Sequence, residues 1–264
     1  EVVPFSYTID GVEYIPEREF DGKAFYAAMR AGSEVKTSMV NAGTFIERFK
    51  TALDAGKDVL YIGMSGGISG TANAALMAKQ ELDEEYPDRK IVVIDTLAAS
   101  LGEGLFVIKA AEQLRDGAAL DTIEEDIRAQ VPSMCQSFTV DDLKYLKNTG
   151  RVSGAAAIIG NVLSIHPILI GDYEGKIVVK SKVRGMKRTL DALAERYAEL
   201  VLNKAETIGI AHADNEEGKA YLVQRLRDKG LTGKCVSVCY EPVTGSHVGP
   251  GTVALFFFGT DRMG

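Results

Sequence analysis

Apolar residues along this chain fall into two alternating patterns. Short continuous runs such as "DVLYIGMS" (58–65) and "KIVVIDTL" (90–97) predict buried strands. Between and after them, "TANAALMAKQELDEEY" (71–86) and "AASLGEGLFVIKAAEQLRDG" (98–117) read as helices. Strand alternating with helix predicts an α/β fold with a parallel sheet. The start, "EVVPFSYTIDGVEYI", predicts two strands joined at Asp10-Gly11. A helix is then expected over "DGKAFYAAMRAG". "EVKTSMVNAGTFIERFKTALDAG" is expected to be a polar turn leading into an amphipathic helix that ends near Gly56.

The pattern changes after the helix predicted over "LDTIEEDIRAQVP" (120–132). "MCQSFTV" predicts a strand opening a new unit, and "DDLKYLKNTG" a short helix that stops at Gly150. "SGAAAIIGNVLSI" predicts a helix of small and apolar residues. "HPILIG" and "KIVVKSKVR" predict strands joined at "DYEGK". A long helix at "RTLDALAERYAELVLN", a strand at "TIGIAHA" and a helix at "NEEGKAYLVQRLRDKG" follow, then strands at "KCVSVCYEPV" and "TVALFFFG". The hairpin-like pairs make this half α+β. A boundary near residue 134 divides the chain into units 1–134 and 135–264. No internal repeat or low-complexity linker separates them.

Composition narrows the function. With 264 residues, 46% of them hydrophobic, the chain can bury a sizeable core. The net charge of −7, with no Lys/Arg cluster, sets nucleic-acid binding aside. No apolar run is long enough to span a bilayer. Three cysteines, Cys135, Cys235 and Cys239, suit a reducing, cytoplasmic setting. Cys235 and Cys239 lie four apart in a predicted strand, face one side, and are expected in the core. The chain opens at Glu1 rather than Met, and a preceding segment is expected.

Four polar clusters carry candidate chemistry. "VLYIGMSGGISGT" (59–71) contains Gly63-Met64-Ser65-Gly66-Gly67, the G-x-S-x-G spacing of a hydrolase nucleophile elbow. An elbow needs the helix to start at the serine, whereas here Ser69 or Thr71 is the better helix cap. A triad from Ser65 would also need one of His166, His212 or His247 downstream. The same turn read as a helix-N-terminal amide cradle suits a carboxylate or phosphate. It has no Gly-Lys-Ser/Thr and no G-x-G-x-x-G. A third reading is a simple cap at Ser69. "KTSMVNAGTF" offers Thr37 and Ser38 before a helix capped by Asn41 or Ser38. "KNTGRVSG" places Arg151 after a helix stop, for an anion or for solvent. "TGSHVGPGT" (244–252) sets His247 in a shaped glycine-rich loop. The apolar "AAAIIGNVLSIHPILIG" and Phe256, Phe257 and Phe258 are core, or line a tunnel. Burying a dozen methylenes there would give on the order of 10 kcal/mol gross.

Taken in order, "TIDG", Thr37-Ser38, "SGGISGTANAA", "VIDTLAASLGEGL", "LKYLKNTGRVSGAAAIIGNVLSIHPIL", "KVRGMKRTLDAL" and "HVGPGTVAL" resemble the DegV family of bacterial fatty-acid-binding proteins over nearly the whole chain. The resemblance implies two domains: an N-terminal three-layer αβα sandwich with a mainly parallel sheet, and a C-terminal α+β domain with a largely antiparallel sheet. It implies one fatty acid between them, with its carboxylate near the first and its tail in the second. Some members are acyl-binding subunits of a bacterial fatty acid kinase, whose separate kinase subunit phosphorylates the bound carboxylate for phospholipid synthesis. Carried over, head-group contacts fall on Thr37 or Ser38, on Ser69 and on Ser65, with His247 and Arg151 near the head group or the phosphoryl end. No cofactor or metal and no catalysis by this chain are implied; the alternative is a serine hydrolase using Ser65. Two departures stand out. The family's opening strand with an Asp-Ser pair lies before this chain's first residue. Its Gln-Pro-Ser after Thr-Ser is here Met39-Val40-Asn41, and its Ser-Ser-Gly-Leu is Ser65-Gly66-Gly67-Ile68. The donor count of the head-group pocket, and its preferred lipid, are expected to differ accordingly.

Overall fold

The computed structural model describes residues 1–14, 20–152 and 164–264. In chain order the elements are β1 (Ser6–Ile9), β2 (Val12–Tyr14), α1 (Gly22–Ala31), β3 (Val35–Ser38), α2 (Ala42–Asp54), β4 (Val59–Gly63), α3 (Thr71–Glu85), β5 (Ile91–Asp95), α4 (Leu101–Arg115) and α5 (Leu120–Gln130). A short 3-10 turn leads into β6 (Met134–Thr139). There follow α6 (Lys144–Asn148), β7 (Ile165–Gly171), β8 (Ile177–Arg184), α7 (Met186–Leu200), β9 (Ile208–His212), α8 (Glu216–Asp228), β10 (Cys235–Cys239), α9 (Pro242–Val248) and β11 (Val253–Phe258).

These build stacked layers. β4 and β5 pair in parallel. Alternation along them sends Val59, Tyr61, Ile91 and Val93 toward Phe45 and Phe49 of α2 and Ala75 and Leu82 of α3. Leu60, Ile62, Val92 and Ile94 face the other way, into a core shared with Leu105 and Phe106 of α4 and Ile123 and Ile127 of α5. That makes an αβα sandwich. The far side of the α4/α5 layer rests on a six-stranded mixed sheet of order β10-β9-β11-β6-β7-β8, in which the β10–β9 pair is parallel and the other pairs antiparallel. Met134, Phe138, Ala254, Phe256 and Phe258 point to α4 and α5, while Cys135, Ile168, Ile210, Leu255 and Phe257 point to α7 and α8. The halves on either side of residue 134 thus share one core. Phe45, Leu82 and Ile94 are wholly buried, each contributing on the order of 2–3 kcal/mol. Glycine permits the closest approach between α4 and the sheet: a Cβ on Gly209 would lie 2.7 Å from the Leu101 Cβ.

A third, antiparallel sheet, β2-β1-β3, turns at Asp10 and Gly11, both at positive φ as a two-residue hairpin requires. It packs with α1 against α9, so residues near opposite ends of the chain meet. Three expectations need correction. Val35–Ser38 is a strand paired with β1 rather than a polar turn, because it supplies the sheet's second partner. Residues 242–248 form a helix rather than a loop, since Glu241 caps the amides of Val243 and Thr244 and Pro242 fits the first turn. Cys235 and Cys239 are half-buried on edge strand β10; of the three cysteines only Cys135 is buried. The helix expected over 153–165 falls largely outside the described residues.

Candidate functional site

In a parallel sheet, ligands gather beyond the carboxyl ends of the strands. The loops after β4 and β5 meet there and fasten each other. The Ser65 amide donates to the Ala98 carbonyl at 2.8 Å. The Asp95 carboxylate accepts from the Gly66 amide at 2.9 Å and the Leu97 amide at 2.8 Å. The Ser65 hydroxyl accepts from the Gly67 amide at 3.0 Å and donates to the Gly175 carbonyl in the β7–β8 turn at 2.8 Å. The amides of Ile68 and Ser69 fold back to the Ser65 carbonyl. Gly66 and Gly67 therefore spend their amides inside the loop. What the loop offers a ligand is the Ser69 hydroxyl, set beside the positive end of the α3 dipole.

Ser69 is not the helix cap expected of it. The cap position is Gly70, which has no side chain to give. Ser69 acts from one residue earlier, accepting from the Thr71 amide at 3.3 Å and sharing a 2.9 Å hydrogen bond with the Thr71 hydroxyl. Asn41 does cap α2, accepting from the Thr44 amide at 3.0 Å. Met39, just past β3, presses its sulfur against Gly70, where a Cβ would stand only 2.8 Å away. The end of β3 and the head of α3 are therefore neighbours.

Strand alternation separates the Thr-Ser pair. Thr37 faces a cavity and is half-buried, while Ser38 is exposed on the other face and lies outside the cavity wall. The Thr37 hydroxyl meets His247 Nε2 at 3.0 Å, across 210 positions of sequence. His247 Nδ1 is sealed from solvent with no partner. Burial, with the nearby Arg151 guanidinium, pushes the imidazole from its usual 6.5 down to about 4. At neutral pH it is thus an uncharged donor or acceptor. Below about 6.5 the unfolded chain binds a proton that the folded one refuses, so this group costs stability progressively as pH falls from 6.5 toward 4. A carboxylate bound beside it reverses the balance. His247 is expected to titrate near 4 in ligand-free protein and clearly higher once an anion is bound. Imidazole NMR shifts followed against pH check this, and an unmoved titration would remove His247 from the site.

Arg151 borders the same cavity. Gly150, at φ 71°, ends α6 with the Arg151 amide returning to the Leu146 carbonyl at 3.0 Å, a left-handed stop that carries the arginine to the rim. Its guanidinium is exposed and bonded to the Thr149 carbonyl. The cavity holds about 480 Å³, within the roughly 300–1,000 Å³ range of small-molecule sites. Thr37, Ser69, Arg151 and His247 supply polar groups. Phe138, Leu146, Ile177, Val248 and Phe256 supply an apolar wall.

Ser65 does not fit a nucleophile. It is fully buried, outside the cavity wall, and its hydroxyl proton is committed to a backbone carbonyl. Among the described residues no histidine bonds to it: His247 pairs with Thr37, His212 with Glu216 and Asn215, and His166 lies by Asp141. A fluorophosphonate probe is expected to leave Ser65 unlabelled, and an adduct on it by peptide mass spectrometry would reverse that view. Two residues escaped the sequence reading. Asp95 ends a parallel strand, the position where site residues gather. Gln136 interrupts the apolar strand β6, a polar residue that needs buried partners: it accepts from the Ala99 amide at 2.9 Å and donates to the Leu97 carbonyl at 3.1 Å. Among the described residues no cluster of three metal-ligating side chains occurs, and no helix is long and apolar enough to cross a membrane.

Comparison with known proteins agrees with this architecture. A DegV domain-containing protein of Clostridium perfringens is 39% identical over 257 residues, covering 96% of this chain and 88% of its own. The crystal structure of a fatty acid binding DegV family protein from Streptococcus agalactiae is 31% identical, with a TM-score of 0.87 over 97% of this chain and 90% of that one. The fatty acid kinase B3 protein of Streptococcus pneumoniae, loaded with linoleic acid, shares the fold at 21% identity, with a TM-score of 0.86 and coverage of 97% and 90%. The DegV family model itself matches residues 1–260. With the layered fold, the fastened loops and this match all spanning the same residues, the chain belongs to the DegV family.

Proposed function

We propose that this protein is a non-catalytic carrier that binds one long-chain fatty acid. The carboxylate is held by Thr37, Ser69 and His247, with the first-turn amides of α3 and Arg151 nearby, and the tail lies along the apolar wall. The observation that carries the reading is the Thr37–His247 pair, two uncharged hydrogen-bonding groups converging beside an apolar cavity of about 480 Å³. The Streptococcus agalactiae relative, described as fatty acid binding, supports it. Burial of methylenes, about 0.8 kcal/mol each, supplies affinity, and a few placed polar groups fix orientation. Ser65 supports the site from behind, through Gly67 and Gly175.

We propose further that the carboxylate is offered to a separate kinase subunit in the cytoplasm, with exposed Arg151 at the rim placed to neutralise an incoming phosphoryl group. Denaturing extraction of the purified protein, followed by mass spectrometry, is expected to release one acyl chain per polypeptide. Protein that carries none and takes none up from solution contradicts the proposal.

A further inference from the structure

Tyr240 stands at the junction of β10 and α9, and its backbone is pinned on both sides. Its amide donates to the His212 carbonyl at 2.8 Å, and its carbonyl accepts from the Tyr26 hydroxyl at 2.8 Å. The residue is 4% exposed. It belongs to the same apolar core as Phe138, Leu146, Val248 and Phe256, and all five border the cavity. Among the described residues, its phenolic hydroxyl makes no hydrogen bond. The free volume that this residue borders is the cavity. Gln136, the buried amide in the same wall, is already satisfied by the backbone of residues 97–99.

We propose that Tyr240 is a specificity-determining residue whose hydroxyl donates a hydrogen bond to an oxygen carried part-way along the acyl chain. The ligand class is then a hydroxy- or oxo-fatty acid rather than its saturated parent. This rests on the fatty-acid reading above. A saturated chain laid against Tyr240 strips the hydroxyl of water and leaves a donor unpaired, which is costly. A mid-chain oxygen restores the bond in an apolar setting. Sites built to hydrogen-bond a ligand group discriminate strongly against analogues that lack it. Burial and the neighbouring Glu241 push the ionisation of the phenol far upward, so it stays a donor across the physiological range.

The test measures binding of stearic acid and of hydroxystearic acids with the hydroxyl at successive mid-chain positions, to delipidated wild-type protein and to Tyr240→Phe. Wild type is expected to favour at least one hydroxy isomer by roughly tenfold or more. Tyr240→Phe is expected to erase that preference while keeping or improving the affinity for stearic acid. Equal affinities across the series in wild type overturn the inference. So does a preference that survives in Tyr240→Phe. A loss of stearic acid binding in Tyr240→Phe also overturns it, since the hydroxyl would then serve the carboxylate. If wild type takes up none of these acids, the fatty-acid reading itself falls, an outcome distinct from the other three.

Discussion

A Thr37→Ala, Ser69→Ala double variant is expected to bind a long-chain fatty acid about 100-fold more weakly than wild type while keeping its fold. Each hydroxyl that bonds a carboxylate contributes about 1.5–3 kcal/mol, and 1.4 kcal/mol is a factor of ten in affinity. The two losses act on one group and do not add fully, so about 3 kcal/mol is the reasonable total. Thr37 is half-buried on β3 and, among the described residues, its hydroxyl bonds only to His247, so its removal leaves the strand pairing with β1 intact. Ser69 loses its contacts with Thr71, a local matter at the head of α3. Titration calorimetry, with circular dichroism as the fold control, measures both. Unchanged affinity would show that the carboxylate sits elsewhere. Ser38→Ala, on the opposite face of the strand, is the matched control and is expected to bind as wild type.

Gly175→Ala is expected to cost about 3 kcal/mol or more of stability. Its φ of 73° lies in the left-handed region, which a side chain enters at about 1–2 kcal/mol. An added Cβ would stand 2.0 Å from the Ser65 hydroxyl oxygen and 3.1 Å from the Leu97 Cα. Either the β7–β8 turn or the ligand loop must move, and the Ser65–Gly175 bond breaks. A buried hydroxyl then goes unpaired, at about 1–3 kcal/mol. Gly56→Ala separates backbone strain from collision. Its φ of 72° is nearly the same, but nothing lies within 4 Å, so about 1–2 kcal/mol is expected. Thermal melts of both variants decide the matter, and equal losses would mean that the contact with Ser65 contributes nothing. Because the turn holds the loop that carries Ser69, Gly175→Ala is also expected to weaken fatty acid uptake.

Much of this molecule was legible from periodicity. The runs that form β4, β5, β6 and β11 are apolar enough to announce themselves, and Asp10-Gly11 marks the β1–β2 turn and Gly150 the end of α6 by their chemistry. The errors fall where local sequence is ambiguous. "EVKTS" has too few apolar residues to look like a strand, and it becomes one because β1 lies beside it. "PVTGSHV" has two β-branched valines and a glycine, poor helix material, yet Glu241 and packing against α1 and the first sheet make it a helix. The site was legible only in fragments. Thr37, Ser69, Arg151 and His247 were each visible as polar residues near turns, but nothing local states that positions 37 and 247 touch. The G-x-S-x-G match drew attention to Ser65, whose hydroxyl faces a carbonyl and holds the loop closed. Asp95 and Gln136 do the same work from two other sides, binding the 97–99 segment on which Ser65 leans.

Native mass spectrometry of delipidated protein titrated with oleic acid addresses the carrier reading most directly. Wild type is expected to saturate with one acyl chain per polypeptide, and the Thr37→Ala, Ser69→Ala variant to show little or none at the same concentration. No adduct in wild type, or several non-saturating adducts that are identical in the two proteins, would contradict it.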